Sequence, residues 1–114
     1  MTSHENITSH YQNPEAERAV LGCVLLDPSL LGTVSRIVEW RDFYDRKHRL
    51  AFAAVARLGD RADLLTLEAQ LREDGTLVAA GGADYVASLV DGIPDIANVE
   101  RYAEIVRRYA VLRG

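Results

Sequence analysis

Few residues of this chain could do chemistry, and each has a plainer role nearby. His48 follows Asp45 by three positions and lies close to Tyr44, so a carboxylate, an imidazole and a phenol come together along the chain. General acid–base catalysis uses such groups, but a helix through this segment would put His48 on its buried face, with one ring nitrogen hydrogen-bonded. Glu15 and Glu17 could pass for a carboxylate pair. Two positions apart on a helix, however, they point to different faces, and both suit the positive end of the helix dipole. Cys23 is the single cysteine. It can form neither an internal disulfide nor a cysteine-rich zinc site, and in an apolar run it behaves as a small hydrophobe. His4 and His10, with Glu5 between them, are too loosely arranged for a metal site. A phosphate-binding loop ends in Gly-Lys-Ser/Thr; the only lysine is Lys47, between Arg46 and His48, so no nucleotide site is present. The residues therefore give no catalytic, cofactor-binding or metal-binding constellation.

Composition narrows the classes further. A length of 114 residues suits one domain, and 48% hydrophobic residues can build a core without disulfides or a structural metal. The formal net charge of -4 argues against strong electrostatic binding of nucleic acid. No apolar stretch approaches the roughly 20 residues that span a bilayer, and Met1 to Gln12 is polar, without the pattern of a signal peptide. A cytoplasmic setting is expected, with a flexible leader over residues 1–12 and the folded domain over residues 13–114.

The elements that must position these residues read as helices. Asn13-Pro14-Glu15 has the cap, the first-turn proline and the acid of a helix start, so the apolar run Ala19 to Leu26 is expected to be a buried helix ending at Asp27. Asp27-Pro28 opens a second helix with Leu30, Leu31, Val34, Ile37 and Val38 on one face. Trp40 and Phe43 are expected as loop residues packing on the core. From Asp45 to Leu58, the stripe is Tyr44, His48, Ala51, Phe52, Val55 and Leu58. Asp63 caps a helix bearing Leu64, Leu67 and Leu71, and Gly75 ends it. A short helix after Gly81-Gly82 carries Ala83, Val86, Ala87 and Val90, and Asn98 is expected to cap a last helix with Val99, Tyr102, Ile105, Val106, Tyr109 and Leu112 on one stripe. No segment alternates as a strand would. The expected fold is all-α, a compact bundle of five or six short helices; the last stripe is still running at Gly114 and is covered either by the body of the domain or, as expected for its final turn, by a further helix.

The residues, taken in order, resemble the N-terminal domain of DnaB-type replicative DNA helicases. Gln12-Asn13-Pro14-Glu15-Ala16-Glu17 with Val20-Leu21-Gly22 resembles the opening signature of that family. Asp42-Phe43-Tyr44, His48-Arg49-Leu50 and Phe52 follow, then Asp63-Leu64, Thr66-Leu67 and Leu71. Gly81-Gly82, Tyr85, Leu89, Pro94, Asn98, Tyr102 and Ile105-Val106 complete the series, which covers Gln12 to Arg113. Pro14 departs from it, standing where the family carries an aliphatic residue. The resemblance implies a helical head and a C-terminal helical hairpin, expected to be incomplete in this chain, that pack as dimers in a collar on a hexameric helicase, with ATP-driven unwinding in a separate domain. It also implies DNA replication as the setting, and other helicase subunits, primase and a helicase loader as partners.

Arg101, Arg107, Arg108 and Arg113 invite a rival reading as a helical module guiding single-stranded DNA. Glu100 and Glu104 interleave with them, and Glu104 to Arg108 has the spacing of a favourable helical ion pair, so DNA contact is expected to be weak or absent. The candidate partner interface is Arg101, Tyr102, Ile105, Arg108, Tyr109 and Leu112.

Overall fold

The computed structural model describes residues 11–114, so most of the expected leader, with His4 and His10, lies outside the described residues. Tyr11 and Gln12 are half-buried. Six α-helices follow: α1 (Pro14–Leu26), α2 (Leu31–Ser35), α3 (Arg46–Leu58), α4 (Leu64–Glu73), α5 (Gly82–Ser88) and α6 (Val99–Arg113). Short 3₁₀ turns lie in every connection except that between α4 and α5, and the described residues contain no strand.

Helix α1 is the centre of the fold. The Asn13 side chain accepts from the Ala16 N–H at 3.0 Å, which satisfies one orphan donor at the helix start. Ala19 to Leu25 are then buried without interruption, with α3 and α6 packed on either side. Gly22 makes this packing close. A Cβ there would overlap the Leu89 carbonyl oxygen and lie 2.5 Å from Ile93 Cδ1. Backbone cannot swing aside as a side chain can, so Gly22→Ala is expected to destabilise the domain by about 2–3 kcal/mol through overpacking, read as a lowered urea midpoint at unchanged m-value.

The cap devices explain most of the remaining boundaries. Asp63 Oδ1 accepts from the Thr66 N–H at 2.8 Å while Thr66 Oγ1 accepts from the Asp63 N–H at 2.9 Å, a reciprocal box at the start of α4. That helix closes with the Thr76 N–H on the Leu71 carbonyl and Gly75 at a φ of 75°, a left-handed position suited to glycine. Asp45 caps α3 through the Lys47 N–H at 2.9 Å.

Four local expectations need correcting. The helix expected from Pro28 through Val38 is a 3₁₀ turn (Pro28–Leu30) followed by the five-residue α2; Gly32 weakens it, and at Arg36 the bonding tightens to an i−3 partner. Trp40 is 42% exposed and not a core residue, whereas Phe43 is fully buried. Ala87 is exposed, and Leu89 fills the core beside Val86 instead. Asn98 makes no side-chain cap; Asp95 accepts from the Ala97 N–H and caps a 3₁₀ turn (Ile96–Asn98) that leads straight into α6.

Three capping or paired aspartates give a pH dependence. At Asp45 burial works to raise the carboxyl pKa, but the Lys47 N–H, the neighbouring His48 and the Lys47 ammonium together outweigh it and the net shift is downward. The Thr66 N–H and hydroxyl hold Asp63 below the ordinary carboxylate value, and Arg57 and then Gln70 do the same for Asp74. A carboxyl depressed on folding contributes stability above its unfolded pKa and loses it as pH falls through the folded one. Stability is therefore expected to fall as pH drops from about 5 to 3, and Asp63→Asn should flatten that slope in urea titrations.

Candidate protein-interaction site

Two places gather polar groups, one closed and one open. The closed one joins α1, the start of α3 and α5. Glu17, 2% exposed, accepts through Oε2 from the Tyr44 N–H at 2.6 Å, and through Oε1 from the Asp45 N–H at 3.3 Å and His48 Nδ1–H at 2.6 Å. His48 Nε2 lies 2.6 Å from the Tyr85 hydroxyl; it accepts there in the neutral ring and donates in the charged one. The Arg18 guanidinium and the Lys47 ammonium lie 5.6 Å and 5.1 Å from the Tyr85 ring centroid. Burial pushes the Tyr85 phenol pKa up, opposed by these cations.

The order carboxylate, imidazole, hydroxyl is that of a proton relay, yet neither His48 nor Tyr85 borders the open groove described below. The cluster ties three chain segments together. His48 is on the buried stripe, as expected, but both of its nitrogens are engaged, not one. Glu17 corrects its reading as a helix-dipole acid: it is a buried acceptor for the turn that opens α3, whereas Glu15 is exposed. Cys23 is fully buried, and desolvation, then the Asp95 carboxylate, pushes its thiol pKa up to about 11. Among the described residues, no group of three or more His, Cys, Asp or Glu is placed to hold a metal.

The open place is a groove of about 610 Å³ between the first turns of α1, the loop of residues 91–94 and α6. Ala16, Ala19, Ile93, Pro94, Tyr102 and Ile105 supply its apolar surface, and Glu15 and Asp91 stand on it as exposed carboxylates. Its size falls in the roughly 300–1,000 Å³ range of ligand-binding clefts. The α1 and loop walls have no periodic signal that would mark them in advance; only Tyr102 and Ile105 come from a stripe legible in the sequence.

The structure divides the six candidate interface residues. Tyr102 and Ile105 are half-buried in the groove wall, and Tyr109 is half-buried further along α6. Arg101 and Arg108 are exposed, as is Leu112 at 47%, beside Val111 at 60%. Two of the four arginines that invited the DNA reading are tethered. Arg107 Nη1 donates to the buried Asp42 carboxylate at 3.0 Å. Arg113 is half-buried, donates to the Tyr11 and Asp42 carbonyls at 2.6 and 2.8 Å, and lies over the Tyr44 ring. The expected Glu104–Arg108 pair is not among the ion pairs formed by the described residues. Among those residues, no single helix is long and apolar enough to cross a membrane.

Comparison with known proteins identifies this arrangement. The DnaB-like helicase N terminal domain family matches residues 9–108. The replicative DNA helicase DnaB of Geobacillus stearothermophilus is 45% identical over 105 residues, covering 90% of this chain and 23% of that protein. The Treponema pallidum replicative DNA helicase DnaB is 46% identical over 105 residues, covering 90% and 24%. The chain thus spans about a quarter of the length of these relatives. The crystal structure of the N-terminal domain of DnaB helicase from Mycobacterium tuberculosis superposes with a TM-score of 0.85 at 36% identity, covering 90% of this chain and 76% of that one. The all-helical head built around α1, and the sequence series that runs through it, place this chain in the DnaB-like helicase N-terminal domain family.

Proposed function

We propose that this chain is the assembly and partner-docking part of a cytoplasmic replicative DNA helicase. In this reading it packs against neighbouring subunits of the ring and recruits primase at the replication fork, with a helicase loader as a further partner. It has no chemistry of its own, and unwinding belongs to the remainder of the helicase. The supporting observation is the outer surface of α6: its first half walls an open groove, and its last turn exposes Val111 and Leu112 to solvent. Exposed apolar surface is a mark of interaction sites, and this helix carries it at its last turn as well as walling a cleft.

Two tethered arginines count against the reading as a guide for single-stranded DNA. Arg107 and Arg113 are committed to Asp42 and nearby carbonyls, which leaves Arg101 and Arg108 as the untethered cations of α6 among the described residues. Glu100 and Glu104 are exposed beside them. Calorimetric titration with the C-terminal domain of the cognate primase tests the proposal. Saturable binding is expected; its absence, with the chain shown folded, removes primase docking from this domain. Salt-dependent binding to an oligonucleotide would favour the rival.

A further inference from the structure

The chemistry of the groove specifies the kind of segment that fits it, given the reading of this chain as a docking domain, on which this inference rests. We propose that the groove between α1 and α6 receives a short apolar segment of a partner protein flanked by lysine or arginine, the apolar side chains seated against Ile93 and Tyr102 and the cations meeting Glu15 and Asp91.

Shape and charge argue for this together. Ala16 and Ala19 are small, so the α1 wall leaves depth for a guest side chain, and Ile93, Pro94, Tyr102 and Ile105 give that side chain apolar contact. Glu15 and Asp91 are exposed, and neither takes part in an ion pair among the described residues. The one cation lining the groove, Arg18, offsets them only in part, since it stands against two carboxylates in the lining and its Nε has no hydrogen-bond partner. Its Nη2 donates to the Ser88 carbonyl at 3.3 Å and its guanidinium lies over Tyr85. A groove with an apolar wall and two carboxylates against one guanidinium favours basic–apolar segments over acidic ones.

The test is a nuclear magnetic resonance titration of the isotope-labelled chain with two blocked peptides, one centred on Lys-Leu-Leu-Lys and one on Glu-Leu-Leu-Glu. The lysine peptide is expected to shift the amides of Ala16, Ala19, Gly92, Ile93 and Ile105. The glutamate peptide should bind about 3–10-fold more weakly, the contrast that two exposed ion pairs can supply. The double variant Glu15→Lys with Asp91→Lys should reverse that preference. Equal binding of both peptides, shifts scattered away from the groove, or no groove shifts at millimolar peptide overturns the proposal. So does preferential binding of oligothymidylate, or self-association of the chain through these residues. Primase separates the two readings. If it binds the native chain and the double variant alike while the lysine peptide leaves the groove amides unshifted, the groove proposal falls and docking stands. If it binds neither while the lysine peptide still fills the groove, primase docking falls and the groove proposal stands.

Discussion

Replacing Glu17 with alanine is expected to destabilise the domain by about 3–5 kcal/mol, because it leaves three donors unmet at roughly 1–3 kcal/mol each. The carboxylate accepts from the Tyr44 and Asp45 backbone and from His48, and its side chain is 3% exposed. Alanine would leave two backbone N–H groups and an imidazole N–H without an acceptor, where water enters only if the packing of α1 on α3 opens. Unmet buried donors cost more than the hydrogen bond itself contributes. Glu17→Gln keeps the shape and one carbonyl oxygen, so it should cost less than alanine. Glu15→Ala, on the exposed side of the same turn, should change stability by less than about 1 kcal/mol. Urea unfolding of the three variants decides the matter: equal losses at positions 15 and 17 would mean that the dipole, and not the buried cluster, is their common role. Against a total stability of about 5–15 kcal/mol, the predicted loss at Glu17 is a large part of the whole.

The same residue shows where sequence reasoning stops. Helix starts were legible because a cap is local: Asn13-Pro14, Asp45 and Asp63 each satisfy an N–H two or three positions ahead. The role of Glu17 depends on a turn 27 and 28 residues away returning to cover it, and no spacing within α1 records that. Asn98 fails for a related reason. It has the right residue type one position before α6, but Asp95 has already turned the chain, so the helix needs no side-chain cap there. The groove was half legible. The stripe on α6 pointed to Tyr102 and Ile105, while the opposite wall combines the outer face of a helix start with a loop some 75 residues further along the chain. The family series extends through all of these segments, which is why the fold could be assigned before any one site could.

Phe52→Ala is expected to cost about 3–5 kcal/mol, the usual loss for a buried aromatic truncated to a methyl group. Phe52 is 2% exposed and its ring stacks on Phe43 with centroids 4.9 Å apart and an interplanar angle of 29°. The loss combines three effects: apolar area returned to water, a cavity between α3 and the segment that carries Phe43, and the aromatic contact itself. Phe43 immediately precedes the turn that Glu17 holds, so the cavity lies beside the buried cluster, and the two substitutions should not be additive. A double variant Glu17→Ala with Phe52→Ala is expected to lose less than the sum of the single losses, because the first change already loosens the turn that presses Phe43 onto Phe52. Strict additivity would mean that the aromatic pair and the polar cluster hold α3 independently. A single loss below roughly 1 kcal/mol for Phe52→Ala would contradict the buried aromatic contact altogether.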